Sequence, residues 1–84
     1  MLIEERLEVK KGFYRHYKGN LYEVIDVVKH SETMEDLVLY KSLAEGVSKG
    51  KLWVRPVHMF LEDISYQGAE MPRFRYISEL SVNN

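Results

Sequence analysis

Length, composition and charge already restrict what this chain can be. It has 84 residues, 45% of them hydrophobic and 30% charged, and twelve Lys and Arg against thirteen Asp and Glu give a formal net charge of −1. A chain this short forms one domain with a thin core, which excludes large enzyme architectures and a buried dinucleotide cofactor. Cysteine is absent, which excludes disulfides, zinc–thiolate sites and thiol catalysis.

The sequence carries no signal for export or membrane insertion. No apolar run approaches the roughly 20 residues that a membrane-spanning helix needs, and residues 1–6 lack the basic start and apolar stretch of a signal peptide. We therefore expect a cytoplasmic protein with no membrane partner. We predict an N-terminal extension at residues 1–11, a single domain at 12–80 and a tail at 81–84.

The first two predicted strands form a hairpin. Aromatic and β-branched residues fill 13–17 and 21–28, and both segments border Gly19-Asn20. Glycine and asparagine tolerate the positive φ of tight turns between antiparallel strands, so the turn is placed there. Residues 1–9 are compatible with either a short strand or one or two turns of helix.

The segment at 37–43 has two interpretations. Its Val and Tyr residues and its position among other strands favour a third strand. A helix is the alternative, because apolar residues at helical spacing follow a capping-box pattern at Thr33 and Asp36, and Gly46 would end such a helix.

The second half of the chain continues as short strands. We predict a fourth strand at 52–55 ended by Pro56, a helical turn at 58–61, a fifth strand at 62–66 and a last one at 71–77. Five to six antiparallel strands at short spacing predict a mainly β fold, a small barrel or roll. The residues expected to form much of its core are Val24, Ile25, Val27, Val38, Tyr40, Val54, Phe60 and Ile64.

Five ordered segments together carry a resemblance to a known family. They are Gly12–Asn20, His30–Thr33, Leu52–Pro56, Met59–Phe60 and Pro72–Phe74. They resemble the small bacterial family designated domain of unknown function 1653 (DUF1653), over about residues 12–77. The resemblance implies an SH3-like β-barrel and implies no reaction, ligand or catalytic residue. Residues 1–11 are additional to the family's usual pattern.

Charge is segregated along the chain. Three stretches, 10–18, 49–55 and 71–77, contain nine of the twelve basic residues and no acidic residue. They also hold six aromatic residues, a mixture typical of single-stranded nucleic acid sites. The candidate binding residues are Tyr14, Arg15, His16, Tyr17, Trp53, Arg55 and Arg73. The alternative is an apolar core with a solvated basic rim, because strand residues alternate between two faces.

The arginines among these candidates have two possible partners. A guanidinium beside aromatic rings can bind a phosphate or carboxylate ligand through two parallel hydrogen bonds. Alternatively, the arginines pair internally with the acidic residues Glu32, Asp36 or Glu62.

The sequence offers no coherent catalytic or metal-binding set. The histidines His16, His30 and His58 lack the close spacing of a zinc site, and we predict neither a metal nor a cofactor. His30, Ser31 and Glu32 are consecutive and cannot form a catalytic relay among themselves, because extended neighbours point to opposite sides. No catalytic residue is assigned.

We therefore predict a non-enzymatic binding module that uses a basic and aromatic face for nucleic acid, peptide or protein. The alternative is a small enzyme, or an accessory domain of one, that acts on an anionic substrate with His16 or His30 as general base. The sequence does not choose among these ligands, and it gives no oligomeric state.

Overall fold

The structure of the protein is a computed structural model that describes residues 8–46 and 48–79. Its elements are β1 (Gly12–His16), β2 (Leu21–Lys29), β3 (Asp36–Ser42), β4 (Leu52–Pro56), α1 (Val57–Phe60), β5 (Asp63–Tyr66), β6 (Ala69–Pro72) and β7 (Phe74–Ser78). Of the predicted extension at 1–11 only residues 8–11 fall within this range, and the tail at 81–84 lies outside it.

The strands form two antiparallel sheets. One has five strands in the order β4-β3-β2-β1-β7, and the other is the β5-β6 hairpin. The predicted mainly β, antiparallel class is confirmed. Over the described part of the chain, β4 and β7 are the outer strands of the larger sheet and do not pair with each other. Closure into an SH3-like barrel is therefore not shown by the strand pairing.

The structure has seven strands where the sequence predicts five or six, because Arg73 interrupts the last predicted strand. The backbone N–H of Arg73 donates to the carbonyl of Glu62 at 3.0 Å, and its carbonyl accepts from the N–H of Tyr17 at 2.9 Å. Both backbone groups of Arg73 thus bond to segments outside a regular strand pair. The chain changes sheets at this residue.

The two early predictions of local structure hold. The hairpin between β1 and β2 turns where expected, with Gly19 at φ 108° and its N–H donating to the carbonyl of His16 at 2.7 Å. The 37–43 segment is the strand β3, and the helix alternative is wrong. Because β3 lies between β2 and β4, its backbone groups bond to two neighbouring strands.

The core lies between α1 and one face of the larger sheet, which we call the inner face. Its buried residues are Tyr14, Val24, Val38, Tyr40, Val57, Phe60 and Phe74. The single turn of α1 fills this space, because Val57 and Phe60 are its two buried residues. The helical turn predicted at 58–61 is thus confirmed, and it begins and ends one residue earlier than predicted.

The predicted core is half right. Val24, Val38, Tyr40 and Phe60 are buried, and Ile25 and Ile64 are half-buried. The predictions that Val27 and Val54 belong to the core are wrong, since these residues are 37% and 53% exposed. The register between β2 and β3 shifts between Val24 and Asp26, so Val27 pairs with Val38 on the inner face but is only partly covered there. Val54 lies on the opposite face of the outer strand β4.

Within residues 8–46 and 48–79, no helix has the length and hydrophobicity required to cross a bilayer.

Candidate functional site

Strand alternation brings several predicted site residues to the inner face. Tyr14 pairs with Tyr22 in the β1-β2 register, and both point to the side of α1. His16 follows Tyr14 by two residues and lies on the same face. On the same face, toward the β4 edge of the sheet, Trp53 pairs with Tyr40, and Arg55 lies two residues further along β4.

Four of these inner-face residues line an open cleft. Tyr22, Tyr40, Trp53 and Arg55 surround a volume of about 210 Å³, which we call the inner cleft. Tyr40 is only 5% exposed and Trp53 is 46% exposed, so the tyrosine belongs to the floor and the indole is accessible. The rings of Tyr22 and Tyr40 meet edge to face, with 5.4 Å between their centroids. The cleft therefore has a rigid aromatic base and one accessible ring.

Arg55 supplies the positive charge of the inner cleft. Its Nε donates to the hydroxyl of Tyr40 at 3.3 Å, and its Cζ lies 5.7 Å from the centroid of the Phe74 ring. None of the ion pairs in the described part of the chain includes Arg55. The guanidinium is thus oriented by aromatic residues and retains its terminal nitrogens for an anion.

His16 adjoins this charge. Burial, followed by the positive charges of Arg55, Arg73 and Lys18, lowers the pKa of the His16 imidazole below its ordinary value. Its Nδ1 accepts the backbone N–H of Lys18 at 3.2 Å, which favours the neutral ring with hydrogen on Nε2. After burial, the charges of these three basic side chains are the further causes of the lowered pKa of this ring.

Arg73 follows the other interpretation offered by the sequence. Its Nη2 lies 3.3 Å from Oε1 of Glu62, so the internal salt bridge predicted as an alternative forms for this arginine. Its side chain is 23% exposed, and its buried Nε has no hydrogen-bond partner. Arg73 therefore acts on His16 by its positive charge while it is paired with Glu62. Arg55, by contrast, has no carboxylate partner among the described residues.

The remaining candidates lie elsewhere. Tyr14 is 5% exposed, and its hydroxyl donates to the Lys10 carbonyl at 2.7 Å, so this ring belongs to the core. Tyr17 is half-buried and packs against Tyr66 and His16. Arg15 lies on the opposite face of the sheet from Tyr14. The three basic stretches therefore do not form one continuous patch.

Sequence reasoning missed Tyr22 and Tyr40 as cleft residues. The available signal was alternation: once Tyr14 faces inward, the hairpin places Tyr22 beside it. The face occupied by Tyr40 depends on the bulge in β2, which no local pattern announces.

The other histidine candidate has a structural role in its loop. His30 Nδ1 accepts the backbone N–H of Glu32 at 3.1 Å, and Ser31 donates to the carboxylate of Glu32 at 2.9 Å. His30 therefore does not contact the Ser31 hydroxyl as a general base would. In the described ranges, no three His, Asp or Glu side chains are grouped closely enough to hold a metal ion.

Comparison with known proteins places the chain in a family. A family model described as a protein of unknown function (DUF1653) matches residues 12–76. A crystal structure of a protein belonging to DUF1653 from Bordetella bronchiseptica is similar to this one, with a TM-score of 0.80 and 26% identity over 90% of this chain and 96% of that chain. No curated protein matches the chain. The resemblance noted in the sequence is confirmed, and the chain belongs to the DUF1653 family.

Proposed function

We propose that this protein is a non-enzymatic module that binds single-stranded nucleic acid through the inner cleft. One nucleotide occupies the cleft at a time. Its base stacks on Trp53, and its phosphate is bound by Arg55. We propose that the fold is SH3-like and that one face of its five-stranded sheet carries the ligand.

The observation that carries the proposal is the state of Arg55. A guanidinium placed over Phe74 and bonded to the Tyr40 hydroxyl, with no carboxylate partner in the described ranges, is an arginine prepared for an external anion. It borders a ring that is 46% exposed, so charge recognition and stacking are available in one cleft.

Two features favour a single strand over a peptide. Base stacking on an accessible aromatic ring is worth about 1–3 kcal/mol per base and needs a flat partner, which an unpaired nucleotide provides. In addition, the charges that act on His16 beside the cleft are all positive, from Arg55, Arg73 and Lys18. This local potential attracts a polyanion although the chain as a whole carries −1.

The cleft contains its own reporter, because Trp53 is the only tryptophan in the chain. Titration with single-stranded ten-nucleotide oligothymidylate at low salt is expected to quench tryptophan fluorescence. The affinity should fall with salt, with a log–log slope of about −0.7 for each phosphate contact. An oligoglutamate of equal length is the matched anionic ligand without bases, and it should quench much less.

Variants separate the guanidinium from general charge. Arg55→Gln should weaken oligonucleotide binding about tenfold, which corresponds to roughly 1.4 kcal/mol. Lys49→Gln makes the same charge change at a residue that pairs with Glu45, and it should bind like the wild type. Trp53→Ala, followed by anisotropy of a labelled oligonucleotide, should also lose affinity. Thermal unfolding of each variant controls for folding.

Three results would contradict the proposal. The first is the absence of quenching at tens of micromolar protein in low salt. The second is an equal loss of affinity in Arg55→Gln and Lys49→Gln, which would indicate charge alone. The third is equal binding of oligoglutamate, which would indicate that the ligand of the inner cleft is an acidic peptide.

A further inference from the structure

We propose that Arg15 and Arg75 form a second anion site, specific for a phosphate group, on the face of the sheet opposite the inner cleft. We call it the outer site. It does not depend on the proposed function of the inner cleft, because it shares none of the residues that line that cleft.

The register of β1 and β7 places the two arginines together. Arg15 and Arg75 are direct partners in this antiparallel pair, so their side chains emerge on the same face. Like charges directly opposite each other on neighbouring strands are destabilising. A sheet that holds two guanidinium groups in this position gains stability when an anion lies between them.

Neither arginine has an acidic residue directly opposite it in the register of the described strands. The partner of Arg15 on its other side is Leu21 in β2, and Arg75 lies on β7, an outer strand of the larger sheet. Neither arginine takes part in an ion pair among residues 8–46 and 48–79. Arg73 and Lys18, both basic, lie near this end of β1.

The two side chains also border a real concavity. A volume of about 120 Å³ is lined by Arg15 and Arg75 together with Tyr17, Met71 and Pro72, and also by His16, the neighbour of Arg15 in β1 whose ring packs against Phe74 on the inner face. Nη1 of Arg15 donates to the Gly19 carbonyl at 2.9 Å, which fixes the guanidinium and leaves its other donors available. The half-buried Tyr17, Met71 and Pro72 limit access of water on one side, which strengthens an ionic contact.

The charge of the site selects the class of anion. Two guanidinium groups present a charge of +2 and several N–H donors in planar pairs. A phosphate group carries about −1.5 to −2 at pH 7 and three acceptor oxygens, so it matches both the charge and the donors. A single carboxylate neutralises only one arginine.

Thermal unfolding in phosphate tests the site directly. The unfolding midpoint is measured in sodium phosphate and in sodium chloride at matched ionic strength. Phosphate also stabilises proteins in general by exclusion from their surface, so the comparison must be between variants. We expect the phosphate-induced rise for the wild type to exceed that for Arg75→Gln, or for Arg15→Gln, by about 4 °C or more. Lys49→Gln should respond like the wild type.

A second measurement keeps the test independent of stability. In an NMR titration with inorganic phosphate, the amides of residues 15 and 75 should shift in the wild type, and these shifts should be lost in Arg75→Gln. O-phosphoserine distinguishes the sources: tighter binding of the monoester assigns the site to a phosphorylated molecule, and tighter binding of inorganic phosphate assigns it to the free anion.

The site would be refuted by equal phosphate responses of the wild type and Arg75→Gln, or by NMR shifts that do not centre on these two residues. Phosphate binding that survives in Arg55→Gln while oligonucleotide binding is lost would support the outer site and separate it from the inner cleft.

Discussion

The rings of Phe60 and Phe74 lie parallel, with 4.2 Å between their centroids and 8° between their planes. This contact joins α1 to β7, an outer strand of the larger sheet. Phe74 is also the ring over which Arg55 lies. A single buried helical residue therefore supports the arginine of the inner cleft through one intermediate ring.

Truncation of the Phe60 side chain should strongly lower the stability of the domain. Phe60 is 1% exposed, and truncation of a buried phenylalanine to alanine costs about 3–5 kcal/mol. Phe60→Ala should approach complete unfolding in a domain this small, so Phe60→Leu provides a variant that still folds with a lower urea midpoint. Met59→Ala, at a side chain that is 38% exposed, is the matched control. Equal urea midpoints for Phe60→Leu and Met59→Ala would show that the stacked pair is not important for stability.

Two glycines with positive φ should respond differently to alanine. Gly12 has φ 136°, and a Cβ there would meet the Ser78 carbonyl oxygen and lie 2.7 Å from Cα of Glu79. Gly19 has φ 108° and open space around a Cβ. Gly19→Ala should therefore cost about 1 kcal/mol from backbone strain alone, whereas Gly12→Ala should cost clearly more. Chemical denaturation measures both, and equal losses would contradict the close approach at Gly12.

The sequence was informative about strands because turn residues separate them. The helix alternative at 37–43 failed because a segment between two strands satisfies its backbone groups in both directions, which outweighs local capping signals. The break at Arg73 was not predictable, since it depends on bonds to Glu62 and Tyr17, eleven residues back and at the end of β1.

For the candidate site, the sequence predicted some of the residues involved more readily than the face of the sheet on which each one lies. The sequence offered Glu32, Asp36 or Glu62 as internal partners for the arginines without assigning pairs, and the Arg73–Glu62 pair forms; it also named Trp53 and Arg55 of the inner cleft. It could not determine that Tyr14 faces inward and Arg15 outward, because alternation gives two faces and only the packing of α1 decides which face is buried.

The hydroxyl of Tyr14 should stabilise the folded protein at neutral pH and lower its stability at alkaline pH. The hydroxyl donates to the Lys10 carbonyl, so Tyr14→Phe should lower the free energy of unfolding by about 1 kcal/mol at neutral pH. Burial, then the charge of Tyr76, raises the Tyr14 pKa to about 12 from 10.0. The folded state therefore disfavours the phenolate, and stability falls as pH rises from 10 toward 12.

Because phenylalanine does not ionise, the difference in stability between wild type and Tyr14→Phe should narrow over that alkaline range. Urea denaturation at pH 7 and at several values above 10 measures it. A constant difference would mean that the phenol ionises equally in both states.

His16 should make the domain less stable in mild acid. Its folded pKa lies below the ordinary value, chiefly because of burial and then because of Arg55, Arg73 and Lys18. The unfolded chain thus binds a proton first. The contribution of His16 is fully present above its unfolded pKa of about 6.5 and is lost as pH falls through the lower folded pKa.

The carboxylates of the chain also respond to acid, so the measurement is a comparison. His16→Gln should lose less unfolding free energy between pH 7 and pH 5 than the wild type, because glutamine does not titrate. NMR titration provides the second readout: Arg55→Gln should raise the His16 pKa part of the way toward its ordinary value by removing one nearby cation, and Lys49→Gln should leave it unchanged. If Arg55→Gln leaves the His16 pKa unchanged, the positive potential assigned to the inner face does not reach this ring, and the inner cleft loses one of the features that favour a polyanion.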